Sequence, residues 1–168
     1  MTEWVSERLS GAHDLTGFDS GQPSLDRWLR QHATHADRMN TARTFVFVTA
    51  DHRIVGYYSL AMGRVQRGDL PLPVARGGPL AVPVILIARL AVDRRAQGAG
   101  VGAELLWDAL TRGSAANALA AARAFVVDAI DGGAASFYEH FGFVRVDGPG
   151  GPSVRLAIKV STVERNLR

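Results

Sequence analysis

The chain has 168 residues with 19 Lys or Arg against 16 Asp or Glu, a formal net charge of only +3, and hydrophobic and charged fractions of 47% and 21%, as in soluble globular proteins. Its length suits one domain with a substantial core. Cysteine is absent, which excludes disulfides, thiolate nucleophiles and cysteine-based metal sites.

In chain order, Met1 to Gly11 is mixed in character and has no apolar core of a signal peptide. Within it, Glu3 to Leu9 reads as a first strand. A helix is expected from about Pro23, with proline at the favoured first turn and Leu25, Trp28, Leu29, His32, Ala33 and Ala36 on one face. Thr44 to Ala50 and Ile54 to Met62 read as a hairpin joined by Asp51-His52-Arg53. Gly63 to Pro83, rich in Gly, Pro and Arg, is expected to be the longest irregular segment. Leu80 to Val92 is the longest apolar stretch, but Pro83 and Arg89 interrupt it and it is too short to span a bilayer. The expected location is the cytoplasm, with no membrane partner. A strand over Val84 to Val92 is followed by Gln97-Gly98-Ala99-Gly100-Val101-Gly102 and then a helix carrying Val101, Leu105, Leu106, Ala109 and Leu110. Phe125 to Ile130 is a further strand, Ala134 to Phe141 a short helix, and Phe143 to Val146 and Val154 to Val160 the last strands. No internal repeat or low-complexity tract occurs.

The strand, glycine-rich turn and helix start around Gln97–Gly102 form a phosphate site. Backbone N–H groups without helical partners converge there, the helix dipole favours negative charge, and glycines admit a bulky pyrophosphate. The third glycine falls one residue too early for the dinucleotide fingerprint G-x-G-x-x-G, and no G-x-x-x-x-G-K-[ST] occurs. The pattern that does fit is Q/R-x-x-G-x-G/A, on Gln97, Gly100 and Gly102. It resembles the acetyl-CoA pyrophosphate loop of the GNAT N-acetyltransferases.

A second segment, Ser136-Phe137-Tyr138-Glu139-His140-Phe141-Gly142-Phe143, resembles the F-Y-x-x-x-G-F segment of the same superfamily. On periodicity alone Ala134, Phe137, Tyr138 and Phe141 form a core-facing helical stripe, and Gly142 is a left-handed stop. The resemblance implies more: a tyrosine hydroxyl beside the CoA sulfur, able to protonate the departing thiolate. It implies an α/β GNAT fold in one domain spanning residues 1–168, with a single mixed, mostly antiparallel sheet, a splayed central strand and flanking helices. It also implies that acetyl-CoA is bound by Leu90, Ala91 and Val92 through strand-like backbone bonds, by Gln97, Gly98, Ala99, Gly100, Val101 and Gly102, and by Ser136 and Phe137. Many members carry Asn seven residues before the tyrosine; here that position is Asp131, expected to cap the helix.

The segment Phe18-Asp19-Ser20-Gly21-Gln22-Pro23-Ser24-Leu25-Asp26-Arg27-Trp28-Leu29 is similar to the opening of GNAT toxins from bacterial toxin–antitoxin pairs. Thr44–Val48, Ile54–Leu60 and Arg89-Leu90-Ala91-Val92-Asp93 resemble their following segments. Such toxins acetylate the α-amino group of aminoacyl-tRNA, and a ribbon–helix–helix antitoxin neutralises them. The resemblance therefore implies aminoacyl-tRNA and such an antitoxin as partners, and extends to a homodimer.

The chemistry suits an α-amine. A lysine amine near ~10.4 needs a base to become nucleophilic, whereas an α-amine near ~7.7–8.0 is already substantially neutral, and esterification lowers it further. Val84 to Val92 carries no Asp or Glu, and Asp93 at its end is not assigned as a base. The expected mechanism is direct transfer in a ternary complex, with water accepting the proton, main-chain N–H groups polarising the thioester, and Tyr138 as general acid. Lys159 is the sole lysine; a coding bias towards arginine explains much of that, yet arginine's planar fork also suits phosphates. Arg89, Arg76, Arg38 and Arg30 are the candidate tRNA contacts. Arg89 stands out because it interrupts an apolar strand, a costly position for a charge unless it is used or solvated. His32 and His35 have i, i+3 spacing but no third ligand in view, so no metal is expected. Two other readings stay open here: a GNAT enzyme acting on a small amine or a protein N-terminus, and a non-catalytic acyl-CoA-binding module.

Overall fold

The structure, a computed structural model, describes residues 3–146 and 153–167. Strand β1 (Trp4–Arg8) is followed by helices α1 (Pro23–Gln31) and α2 (Ala33–Arg38), strands β2 (Arg43–Thr49) and β3 (Ile54–Gln66), the single turn α3 (Leu72–Ala75), and strand β4 (Ala81–Val92). Helix α4 (Val101–Asn117), β5 (Ala124–Ala129), α5 (Gly132–His140), β6 (Val144–Arg145), β7 (Val154–Lys159) and α6 (Val160–Asn166) complete the order. The strands are hydrogen-bonded in the order β1-β2-β3-β4-β5-β7-β6. The β4–β5 pair is parallel, while β1–β2, β2–β3, β5–β7 and β6–β7 are antiparallel, so the sheet is mixed and mostly antiparallel. Residues group into two compact units, Met1–Ala61 with Ala88–Ala109, and Met62–Ile87 with Leu110–Arg168.

In the first unit, the two faces of the hairpin are covered by different helices, and the register shift between Phe47 and Val48 offsets the alternation along β3. Val46, Val48 and Tyr57 pack with Leu29 and Ala33 of the α1–α2 segment and with Phe18, while Phe47, Val55 and Tyr58 pack with Val101, Leu105 and Ala109 of α4. The strand hairpin is closed by Thr49: its hydroxyl donates to the Asp51 carboxylate, its N–H to the Arg53 carbonyl at 2.9 Å, and His52 takes a positive φ of 64°. In the second unit, Val82, Val84, Ala124, Val126 and Ala157 share a core with Val74 and Ala75 of α3.

Several expected elements differ. The helix from Pro23 breaks at His32, whose φ of −123° ends α1 and begins α2; His32 is exposed rather than on the buried face. The segment expected to be irregular from Gly63 to Pro83 is largely ordered: β3 runs on to Gln66, a 3-10 turn spans Arg67–Asp69, and β4 starts at Ala81. Pro83 sits inside β4, where its missing N–H is tolerated while its carbonyl accepts from Arg123 N–H at 2.8 Å. Phe141 lies beyond α5 and is exposed; the buried face of that helix is Ala135 and Tyr138. The C-terminal helix α6 had no signal in the residue pattern beyond its apolar Val160 and Val163.

Two glycines let α4 lie close to the sheet, one in each unit. A Cβ at Gly56 on β3 meets Leu105 Cδ1 at 2.7 Å and the Ala91 carbonyl at 3.1 Å. A Cβ at Gly113 within α4 meets the ring of Phe125 at 2.3 and 2.8 Å, and that ring is fully buried and has nowhere to go. Gly→Ala inside a helix ordinarily gains about 1 kcal/mol; at Gly113 overpacking of about 1–3 kcal/mol outweighs it. Gly113→Ala is therefore expected to lower the urea midpoint of unfolding, and a raised midpoint would show that helix and strand are not in close contact there.

Candidate active site

The end of β4 and the start of α4 are joined by a turn whose geometry comes from two side chains. Asp93 is 2% exposed and caps the 3-10 turn Arg94–Ala96. Its carboxylate accepts from Arg95 N–H and Nε, both at 3.0 Å, and from Asp19 N–H at 3.2 Å. Burial works to raise the Asp93 carboxyl, but the hydrogen bonds from Arg95 and Asp19 outweigh it and hold it below the usual carboxylate range. A carboxylate so stabilised is a poor general base. Gln97 completes the turn: its amide donates to the Ser20 and Val92 carbonyls, each at 2.9 Å.

The Gln97 side chain thus points to protein carbonyls, and what the turn offers a ligand is backbone. Gly98 and Gly100 both have φ near +82°, a conformation that favours glycine, and nothing lies within 4 Å of where a Cβ would stand at either. Helical hydrogen bonding resumes with Glu104 N–H to Gly100 O at 3.2 Å. The N–H groups of Val101 and Gly102 belong to the first helical turn, where no intrahelical acceptor exists. Ala99 lies exposed between the two glycines. Successive N–H groups in such a turn, at the positive end of a long helix, form an anion cradle. Upstream, Ala91 is buried and Leu90 and Val92 are half-buried on β4. The parallel register with β5 covers Val84↔Ala124 to Leu86↔Val126, and β4 continues from there to Val92.

The Phe18–Leu29 segment serves as the buttress of this turn. Asp19 O accepts from Arg94 N–H at 2.8 Å, and Asp19 pairs with the Arg94 guanidinium at 3.3 Å. Ser20 is locked to the buried Asp26 through its hydroxyl at 2.6 Å and its N–H at 3.0 Å. Gly21 takes φ +85°, with Arg94 Nε 3.1 Å from the place of a Cβ. These residues were visible in the sequence as a motif, but nothing in one sequence says that the motif folds back onto a turn some seventy residues away.

The candidate RNA contacts fall in different places. Arg89 is half-buried in β4 with its guanidinium carbon 4.1 Å from the centroid of the Trp28 ring. Desolvation lowers its pKa, although arginine stays charged. Trp28 in turn stacks on Tyr57, centroids 6.3 Å apart and planes at 9°, and the Tyr57 hydroxyl donates to Leu25 O at 2.7 Å. Arg30 donates to Phe18 O at 3.0 Å, so it also braces the buttress. Arg38 ends α2 and is exposed. Arg76, in the other unit, is exposed and lines a cavity of about 460 Å³ with Arg67, Leu70, Pro71 and Val146.

In that second unit Tyr138 is 6% exposed, its ring edge-on to Phe137 (5.1 Å) and Phe143 (5.5 Å). Burial pushes its phenol well above the ordinary value, so it is protonated at neutral pH. Among the described residues its hydroxyl has no hydrogen-bond partner. Asp131 caps α5, accepting from Ala134 N–H at 2.8 Å, and Ser136 bonds back to Gly132 O at 3.0 Å. Among the described residues no cluster of three or more His, Asp or Glu could hold a metal, and no helix is long and apolar enough to cross a membrane.

Residues 19–151 match the family model described as the acetyltransferase (GNAT) domain. A protein of Mycobacterium tuberculosis named tRNA-acetylating toxin is 46% identical over 136 residues, 81% of each chain. Among solved structures, a point mutant of KacT superposes with TM-score 0.89 at 25% identity, covering 98% of this chain and 99% of that one. AtaT complexed with acetyl-methionyl-tRNAfMet superposes with TM-score 0.87 at 26% identity, covering 99% and 100%.

The Asp93 knot has a pH signature. A group with a depressed folded pKa stabilises fully above its unfolded value of about 3.9, and that stabilisation is lost as pH falls through the folded value. Asp93→Asn is expected to cost about 1–3 kcal/mol at pH 7, for lost charge-assisted bonds and mismatched donors. Urea unfolding of both proteins checks this: the gap holds from pH 7 to 5 and narrows below about 4. A gap unchanged at pH 3 rules out the ionised carboxylate as its source.

Proposed function

The chain belongs to the GNAT acetyltransferases, and we infer that it is the toxin of a toxin–antitoxin pair, blocking translation by acetylating the α-amino group of aminoacyl-tRNA. The observation that carries this reading is the 46% identity, over most of both chains, to a tRNA-acetylating toxin. The likeness to AtaT, solved with an acetylated aminoacyl-tRNA, supports it. So does the collinear Phe18–Leu29 segment, here built into the cofactor turn. A ribbon–helix–helix antitoxin is the protein partner that goes with this role, and the cytoplasm the place where charged tRNA is met.

Acetyl-CoA supplies an acetyl thioester for attack by an amine. The turn at Gly98–Gly102 fits its pyrophosphate: two left-handed glycines with open space beside them, at the positive end of α4. Leu90, Ala91 and Val92 offer backbone N–H and C=O groups to the amides of the pantetheine arm, as an added strand. Ser136 and Phe137 flank the tyrosine on α5 and are assigned to the same arm.

Tyr138 is the proposed general acid. Its raised pKa keeps the proton on the phenol, so it approaches the leaving sulfur as a hydrogen-bond donor. A thiol's ordinary pKa of about 8.5 lies below that of a phenol, so complete transfer is favourable only as a proton returns to Tyr138. The attacking amine releases one through water in the same turnover. The C–N bond forms, the C–S bond breaks, and the proton count balances. An α-amine near ~7.7–8.0 needs no protein base, and the one carboxylate at the strand end, Asp93, is committed to the turn.

The test is acetyl transfer to a mixed aminoacyl-tRNA pool, with sequencing of whichever tRNAs become acetylated. The wild type is expected to acetylate a subset and Tyr138→Phe to be slower by about 10²–10⁴-fold, the range for a general acid. Induced in bacteria, the wild type arrests growth and the variant does not. Equal arrest by both proteins removes the role given to Tyr138. Transfer to free amines but to no aminoacyl-tRNA favours the small-amine enzyme instead.

A further inference from the structure

In the first unit two part-buried arginines depart from the common pairing: Arg53, whose Nε is buried without a partner, and Arg89, which rests on a ring. Arg8, Arg43, Arg94, Arg95, Arg145 and Arg155 are each paired with a carboxylate. Arg89 is partly desolvated, and among the described residues neither a carboxylate nor a carbonyl accepts from it. Its contact is the face of Trp28, which attracts a cation yet accepts none of its five N–H donors. The Tyr57 hydroxyl, whose ring stacks on Trp28, donates its proton to Leu25 O. A guanidinium resting over a ring at this distance keeps its N–H donors for another acceptor.

Its place in the strand says what it faces. Side chains alternate along β4, so Arg89 shares a face with Ala91, and Ala91 packs in the core that also holds Tyr57 and Leu29 of α1. Arg89 also directly precedes Leu90, Ala91 and Val92, the backbone assigned to the cofactor arm. The aminoacyl ester at the end of a tRNA has no carboxylate, so the anions nearest the reacting amine are phosphodiesters of the single-stranded 3′ end. A planar fork of N–H groups suits a phosphodiester.

We propose that Arg89, positioned by Trp28, grips a phosphodiester of the single-stranded 3′ end of the acceptor RNA from the α1 face of β4. This rests on aminoacyl-tRNA being the acceptor. Arg89 is a binding residue for the acceptor; Trp28 acts through Arg89 as a positioning residue.

The experiment compares two minimal acceptors: an aminoacyl-trinucleotide with the terminal tRNA sequence, and aminoacyl-adenosine, which has no phosphodiester. The quantity read is the ratio of kcat/KM between them. Arg89→Gln is expected to lower this ratio by about 10–100-fold through KM for the trinucleotide, the size of a charge-assisted hydrogen bond. Its log KM against log salt should flatten by about 0.7, one single-strand phosphate contact. Trp28→Ala is expected to lower the ratio by about tenfold, and Trp28→Phe to restore most of it because a ring face remains. Should Trp28→Ala fail to fold, Arg89→Lys keeps the charge but loses the fork, and is expected to lower the ratio as well. A wild-type ratio and salt slope in Arg89→Gln overturns the proposal. So does a wild-type ratio in a folded Trp28→Ala, which leaves Trp28 without the positioning role. Failure of the wild type on both minimal acceptors and on intact aminoacyl-tRNA is a different result, which removes the acceptor reading and this inference with it.

Discussion

The Asp93 carboxylate and the Gln97 amide have opposite hydrogen-bonding character, and between them they hold the turn on which the cofactor site depends. Asp93 accepts only, and it gathers N–H groups from Asp19 and Arg95. Gln97 donates, and it joins the carbonyls of Ser20 and Val92. One residue therefore satisfies main-chain donors and the other main-chain acceptors, within a five-residue stretch that follows the end of β4. With Asp19, Ser20 and Asp26 paired within the protein, the N–H groups of the glycine turn and of the first turn of α4 are left without intrahelical acceptors. In the proposed role, this is how a glycine-rich sequence becomes a defined anion site. The entropy of two left-handed glycines is offset by ties to a segment that is itself locked by Ser20 and Asp26.

The same helix that presents the anion cradle also has to sit close to the sheet, because its N-terminus must emerge level with the end of β4. Gly56 on the strand side and Gly113 on the helix side both make that approach possible, each leaving no room for a methyl group. Loss of helix propensity at Gly113 is thus a requirement of its contact with Phe125. The glycines of this chain fall into two classes that composition cannot separate. Gly98 and Gly100 stand in open space and are there for their backbone angles, whereas Gly56 and Gly113 have ordinary angles and are there for the absence of a side chain.

Much of the frame was legible in the residues. The apolar stripe Val101, Leu105, Leu106, Ala109 and Leu110 is buried as its spacing requires, and β2, β3 and β5 fall within a few residues of their expected bounds. The break at His32 was not legible, because Leu29 and Ala33 keep one helical face across it and periodicity sees only the face. The order in Gly63–Pro83 was missed because Gly and Pro argue for loop wherever tertiary pairing is invisible; Gly63 is in fact a strand residue packed close to Leu86. At the site, spacing points to the glycine turn and Gln97, while the pairing of the Gln97 amide with the Ser20 and Val92 carbonyls is not something a motif records. Trp28 stands in the opening motif and on one face of the first helix, and neither placement shows a cation on its ring. Its partner Arg89 lies some sixty residues further on, and a cation resting on a ring leaves no trace in either local pattern.

These placements divide the work between backbone and side chains. The cofactor half of the site, as proposed, is made of main-chain groups at Leu90–Val92 and Gly98–Gly102, which many sequences can supply provided the turn keeps its angles. Discrimination of the acceptor has no such freedom. It needs donors of fixed direction and charge, and side chains are the only source of them. Arg89 on Trp28 has the attributes of that second kind: a charge held partly out of water, at the cost of desolvation, in a strand that apolar residues would fill more cheaply. On the proposed assignment, a fold that holds its common cofactor through the backbone is free to spend its few costly side chains on the substrate that distinguishes it.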